Sequence, residues 1–218
     1  MKINKRLQAI AKYVNDNSSV IDVGCDHALL SIYLVSSKKN INCIASDLKQ
    51  GPLNQAVKNI SKYCLNDKIK IKLGYGIETI EKETDTIVIS GMGGSTIVDI
   101  LYKDVKKLNN VRQIILSPNN DFYKVRKKVS QIGFKITKEE IIKDNNKFYP
   151  IIVFERGKRK LTKEELFCGC NVLSNNDYKE YILLLISELN RKLKNMPKKY
   201  IFKRLKIKKE ISILFKRK

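Results

Sequence analysis

Short β-branched runs alternate with amphipathic stretches through the first 155 residues of the chain. "SVIDVG" (19–24), "INCIASD" (41–47), "KIKIKLG" (68–74), "DTIVISG" (85–91) and "VRQIILS" (111–117) read as five strands. The second, fourth and fifth are nearly apolar on both faces, as strands inside a parallel sheet must be. Segments near 27–37, 51–64, 95–108 and 121–132 read as the helices between them. Residues 133–157 then supply two longer strands around the polar turn "KDNNK", an antiparallel pair at the end of the sheet. The expected class is α/β: a doubly wound, mostly parallel sheet with its last strand antiparallel. Ligands are expected at the strands' carboxyl ends.

The pattern changes after Gly157. "KRKLTKEELFCGCNVLSNND" reads as a connector, followed by two helical segments split at Met196-Pro197. Tyr178, Ile182, Leu185, Leu189 and Leu193 form one apolar stripe, and Tyr200, Ile207, Ile211 and Leu214 form another. Heptad-like stripes across a short break predict an antiparallel, coiled-coil-like helical hairpin. The boundary therefore falls between a domain at 1–157 and a hairpin unit at 158–218. Residues 156–218 hold 19 Lys+Arg against 6 Asp+Glu, which is +13 of the chain's net +22.

That charge favours a polyanionic partner, either nucleic acid or an acidic membrane face, although a lysine- and isoleucine-rich composition raises surface charge by itself. With 43% hydrophobic and 30% charged residues over 218 positions, the chain reads as globular. No apolar run approaches the roughly 18 residues of a membrane span, and "MKINKRLQAIAKYV" lacks an apolar signal core. The five cysteines have no paired C-x-x-C spacing; Cys25, Cys43 and Cys64 read as small core side chains, and no metal is expected. A reducing cytoplasm is the expected setting, and no obligate protein partner is evident.

The chemistry concentrates at the first strand–helix turn, Gly24-Cys25-Asp26-His27-Ala28. Its glycine lets a ligand approach the backbone, but only the first glycine of a dinucleotide fingerprint is present. Asp26 would repel a pyrophosphate and suits a ligand with a cationic centre; alternatively it caps the following helix. Asp47 ends the second strand, 23 residues after Gly24, where an acid accepts ribose hydroxyls.

D-x-G followed by an acid after the next strand resembles the S-adenosylmethionine site of class I methyltransferases, which have a Rossmann-like sheet. More narrowly, "KRLQAIAKYV", "VIDVGCDHALL", "GPLNQA", "ISGMGG" and "SPN" resemble bacterial tRNA (adenine-22, N1)-methyltransferases. The resemblance covers nearly all of 1–155, and the basic hairpin matches that family's C-terminal part. It implies methyl transfer from S-adenosylmethionine to N1 of adenine 22, in the D-arm region of tRNA, with the hairpin binding the tRNA.

By the same resemblance Gly24 allows backbone contact with the cofactor and Asp47, next to Leu48, holds its ribose. Asp22 braces the turn. Gly91, Met92, Gly93 and Gly94 form the loop beside the transferable methyl, and Arg6 is a looser candidate for the cofactor's carboxylate. Asn119 closes the fifth strand against the base or a ribose. Asp26 is the acid best placed to stabilise charge gained by the base. His27, the sole histidine, either transfers a proton or orients Asp26.

Three positions depart from the family. Leu29 stands where an aromatic residue often follows "DHA", so no base-stacking ring can be assigned there. Ser31 replaces an expected proline. Tyr75 replaces an aspartate that would read the cofactor's adenine, leaving that task to backbone near Gly76 and Ile77. A methyltransferase of another RNA base or of a small molecule, and a non-catalytic nucleic-acid-binding module, are the alternatives.

Overall fold

The computed structural model describes Met1 and residues 3–217. A helix α1 (Lys5–Tyr13) leads into alternating β1 (Ser19–Val23), α2 (Leu29–Ser37), β2 (Asn42–Asp47), α3 (Gln50–Lys62) and β3 (Ile69–Leu73). Then come β4 (Thr86–Ser90), α4 (Gly94–Lys103), β5 (Gln113–Ser117) and α5 (Phe122–Gln131), with short 3-10 turns at Gly76–Thr79 and Val105–Leu108. The hairpin strands β6 (Phe134–Asp144) and β7 (Lys147–Arg156) close the sheet, and α6 (Lys163–Cys168), α7 (Asn176–Asn195) and α8 (Ile201–Phe215) follow.

The seven strands lie in the order β3-β2-β1-β4-β5-β7-β6. β1 to β5 pair in parallel, and β7 runs antiparallel to both neighbours. All five parallel strands agree with the periodicity to within two residues at either end. The "KDNNK" turn reduces to Asn145-Asn146, both at positive φ (48° and 60°). That is the left-handed pair a two-residue hairpin turn requires, and asparagine tolerates it. Ile21, Ile87, Ile89 and Leu116 face one side of the sheet in one apolar cluster, while Val20, Ala45, Val88 and Ile115 belong to the cluster on the other.

Helix α1 lies outside the elements predicted from sequence. Asn4 caps it by accepting from the Leu7 N–H at 2.8 Å, and its buried Ile10 and Ala11 pack onto the sheet. The Tyr13 carbonyl accepts from the buried Gln113 side chain at 3.0 Å, which pins the helix to β5. Its first turn is thereby held over the carboxyl ends of the central strands.

Beyond Gly157 the predicted hairpin is present. Leu214, near the end of α8, clusters with Tyr178 and Ile182 at the start of α7, while Arg204 donates to the Leu193 and Met196 carbonyls. The two helices are therefore antiparallel. The stripes are only partly as predicted: Tyr178, Ile182 and Leu214 are buried, but Tyr200 is exposed and Ile186, off the stripe, is buried. The buried residues of α7 share one cluster with Ile141 of β6, Cys168 of α6 and Leu214 of α8, so packing against several elements overrides the heptad spacing. Cys64 is exposed at the end of α3, contrary to its apolar sequence surroundings. Its backbone is left-handed (φ 55°), turning the chain out of the helix.

Candidate active site

β1 and β4 are neighbours in the sheet, but β1 leads through α2 to β2 on its other side. The loops after β1 and β4 thus diverge and open a crevice, as expected at such a switch point. The crevice is a cleft of about 420 Å³ lined by Asp22, Gly24, Asp26, Asp47 and Met92, among others.

The turn after β1 is built from alternating left-handed residues: Gly24 (φ 73°), Asp26 (φ 52°) and Ala28 (φ 56°). Gly24 and Cys25 both donate their N–H groups to the Ser46 carbonyl, at 2.8 and 3.0 Å, tying the turn to β2. A Cβ on Gly24 would stand 2.2 Å from the Met92 Cε. The methionine end could yield, but the left-handed backbone at Gly24 favours glycine in any case, and the contact brings the loops after β1 and β4 together. Asp26 does not cap α2: the helix begins after Ala28 with no side-chain cap. Its carboxylate is exposed, 3.6 Å from the His27 Nε2.

Asp47 uses both carboxylate oxygens locally. Oδ2 accepts the Asp26 N–H at 3.3 Å and Oδ1 accepts the Lys49 N–H at 3.0 Å. These bonds orient the carboxylate into the cleft, and each oxygen keeps acceptor capacity for a ligand.

Asp22 is buried, with 3% of its surface exposed, and accepts the Ser31 hydroxyl at 2.9 Å. Burial pushes its carboxyl up to about 6; the Ser31 bond opposes this and the Asp47 charge adds to it. The serine in place of the family's proline thus supplies a donor that a proline lacks. Burial also raises the Cys25 and Cys43 thiols, so both stay protonated near neutrality.

The loops after β4 and β5 are zipped together. Asn119 donates its N–H to the Met92 carbonyl at 2.8 Å and its side-chain amide to the Gly91 carbonyl at 2.7 Å. The Asn120 side chain accepts the Gly94 N–H at 2.9 Å at the start of α4. A Cβ on Gly94 would lie 2.5 Å from the Asn120 carbonyl oxygen, so the loops approach at backbone distance.

A family model described as a methyltransferase domain matches residues 3–152. The tRNA (adenine(22)-N(1))-methyltransferase of Bacillus subtilis is 35% identical over 174 residues, spanning 79% of this chain and 73% of that protein. This chain belongs to that methyltransferase family. The TrmK structure of M. capricolum, solved with S-adenosyl-homocysteine, is similar at TM-score 0.86 and 29% identity over 99% of this chain and 97% of that one. Streptococcus pneumoniae Sp1610, described as a candidate tRNA (m1A22) methyltransferase and solved with S-adenosyl-L-methionine, superposes at TM-score 0.89. It is 32% identical, over 99% of both chains. The likeness to these structures thus extends through the helical hairpin.

Of the residues singled out by sequence, Arg6, Asp22, Gly24, Asp26, His27, Asp47, Gly91 and Met92 line the one cleft. Gly93 precedes α4 against Asn120, and Leu48 lies exposed beside Asp47. Asn119 lines an adjoining cavity together with Arg6 and Gly91. Gly76 and Ile77 are buried off the cleft wall, where a Cβ on Gly76 would meet the Ile100 side chain at 2.6 Å. Sequence reasoning missed Asn4 and Leu7, which line the cleft from α1. The Asn4 cap followed by Leu7, Ile10, Ala11 and Val14 at helical spacing was the available signal.

Proposed function

We propose that this protein methylates N1 of an adenine in tRNA, adenine 22, with S-adenosylmethionine as donor. The observation that carries the proposal is the likeness over 99% of the chain, hairpin included, to Sp1610, described as a candidate tRNA (m1A22) methyltransferase, alongside 35% identity to the tRNA (adenine(22)-N(1))-methyltransferase of Bacillus subtilis. The cleft fits that cofactor. Gly24 presents left-handed backbone with no side chain to it (φ 73°), and two carboxylates, Asp22 and Asp47, line a wall suited to a cationic ligand.

In this reading Asp47 accepts the ribose hydroxyls and Gly24 admits the cofactor against the backbone. Asp22 faces its amino group, Arg6 its carboxylate, and the Gly91–Gly93 loop borders the methyl. The cofactor supplies an electrophilic methyl group on a positively charged sulfur. Adenine N1 carries a free lone pair at neutral pH, so no side chain has to remove a proton before transfer. The protein's contribution is alignment and electrostatics. Asp26 counters the positive charge the adenine ring gains, and His27 orients Asp26 across their 3.6 Å contact. Asn119 fixes the loop that borders both partners.

Residues 1–157 then act as the catalytic unit and 158–218 as the tRNA grip. Near the hairpin tip Phe202 is 89% exposed, and Lys199 and Lys203 lie 5.6 and 5.3 Å from the Tyr200 ring centre. Among the described residues no helix is long and apolar enough to cross a membrane. A tRNA substrate and five free cysteines suit the cytoplasm. The deciding experiment incubates the protein with labelled S-adenosylmethionine and total tRNA, then identifies the modified nucleoside. 1-Methyladenosine is expected. Label in the adenine amino group, in another base, or in no nucleoside would refute the proposal.

A further inference from the structure

A second cavity of about 700 Å³ adjoins the cleft, and Arg6 and Gly91 line both. Its size falls in the ~300–1,000 Å³ range of small-molecule sites. Three separate parts of the chain wall it: the loop after β5, the β6–β7 turn, and one face of α7. Four half-buried aromatic rings, Phe122, Phe148, Tyr149 and Tyr181, stand on these walls. The Phe148 and Tyr181 rings are 5.6 Å apart and tilted by 50°. The Arg6 guanidinium lies 4.7 Å from the Tyr149 ring centre, and 3.5 Å from where a Cβ on Gly91 would stand. Arg6 therefore occupies the passage between the two spaces.

Leu29, on the opposite side of the first turn, offers no ring for a base to stack on. The second cavity has rings, and it opens onto the cleft at the loop that borders the cofactor's methyl. We propose that this cavity receives the acceptor nucleotide of the RNA, its base stacked on the Tyr149, Phe148 and Tyr181 rings. This rests on the adenine-N1 reading above. Unstacked bases bind aromatic faces in this way, and a base modified on its Watson–Crick edge must leave its pairing and stack to be reached. Asn119 spends its amide N–H on the Gly91 carbonyl. Its Oδ1 is left to accept the adenine amino group, which lies beside N1 on the same edge. Arg6 and Lys147 outnumber the single acid on the lining, Glu188, as a phosphate-bearing ligand requires. By this arrangement α7 is a wall of the base site, so the hairpin positions the base as well as holding the tRNA.

The test uses the full-length protein, S-adenosylhomocysteine, and a tRNA transcript with 8-azidoadenosine at the acceptor position. Irradiation should attach the RNA to residues 146–149 and 181–188. Attachment confined to residues 27–33, around Leu29, would overturn the proposal. In parallel, Tyr181→Ala should raise KM for tRNA roughly tenfold or more, as loss of a stacking ring does. Tyr181→Phe should restore it, and both variants should bind cofactor with parental affinity by calorimetry. Parental KM and kcat in Tyr181→Ala, alongside 1-methyladenosine production by the parent, would sink this pocket and leave the methyltransferase reading intact. A parent that makes no 1-methyladenosine would sink both.

Discussion

The Asn119 side-chain amide donates to the Gly91 carbonyl at 2.7 Å, across the loops that follow β5 and β4. Gly91 is left-handed (φ 79°), and this bond holds its carbonyl in that conformation at the junction of the two cavities. Asn119→Ala releases the loop and removes the amide from the acceptor edge. The methylation rate should fall about tenfold, the equivalent of one hydrogen bond of roughly 1.4 kcal/mol, with cofactor affinity changed much less. Single-turnover rates and calorimetry measure the two separately; a parental rate would remove Asn119 from the site.

Asp47 presents an oriented carboxylate to the cleft, fixed by the N–H groups of Asp26 and Lys49. A charge-assisted contact to ribose hydroxyls contributes roughly 1.5–3 kcal/mol, so Asp47→Ala should weaken S-adenosylmethionine binding about ten- to a hundredfold. The variant's thermal unfolding should stay close to the parent's. Equal affinity in calorimetric titrations would place the ribose elsewhere.

Asp22 should shape the pH dependence of stability. Its carboxyl is raised to about 6 by burial, above the ~3.9 of an unfolded aspartate, so the native state holds its proton more tightly. Stability from this group is therefore fully present below about pH 4 and is lost as pH rises through about 6. Asp22→Asn escapes that cost while still accepting the Ser31 hydroxyl. The variant should exceed the parent in stability at pH 7.5 by roughly 2–3 kcal/mol, with the gap closing toward pH 4. Urea unfolding midpoints at several pH values test this, and a gap that widens toward low pH would contradict it.

Arg126 and Glu139 form a buried ion pair at 2.9 Å, with side chains 4% and 0% exposed. Arg126 also donates to the Leu166 and Phe167 carbonyls, and Glu139 accepts the Cys170 N–H at 2.7 Å. The pair thus fastens α6 and the segment after it to the sheet. Arg126→Ala would leave Glu139 charged and buried, at a cost of about 3–5 kcal/mol. Replacing both together with Met and Leu should cost less than the single change. Chemical denaturation of the three proteins decides it, and a single variant as stable as the parent would refute this role.

The hairpin tip should confer salt-sensitive binding. Neutralising Lys198, Lys199 and Lys203 together should lower tRNA affinity about equally across tRNA sequences. It should also reduce the slope of log affinity against log salt by about 2. Filter binding at several salt concentrations reads that slope, and an unchanged slope would mean the RNA does not reach the tip.

Much of this architecture was legible along the chain because burial leaves a local trace. Strands buried on both faces must be apolar throughout, so β2, β4 and β5 announced themselves. A left-handed residue directly after a strand favours glycine, so Gly24 marked the end of β1. An acid at the end of the following strand marked the cleft, and Gly24 and Asp47 both line it.

What neighbours what across the sheet leaves no such trace, and there the tertiary structure decided. Strand order brings Gly24 against Met92, and Gly91 against Asn119, contacts that no spacing in sequence encodes. Gly76 and Ile77, expected to offer backbone to the cofactor's adenine, are both buried, and Gly76 lies against the Ile100 side chain of α4. Cys64 sat among apolar residues, but a left-handed backbone turns it outward. The heptad stripe of α7 gave way to Ile186 because that residue joins one cluster with Ile141 of β6, Cys168 of α6 and Leu214 of α8. The aromatic cavity beside the cleft is the strongest case. Its rings come from α5, β7 and α7, segments far apart in sequence, and only the docking of the hairpin on the sheet edge gathers them around Arg6 and Gly91.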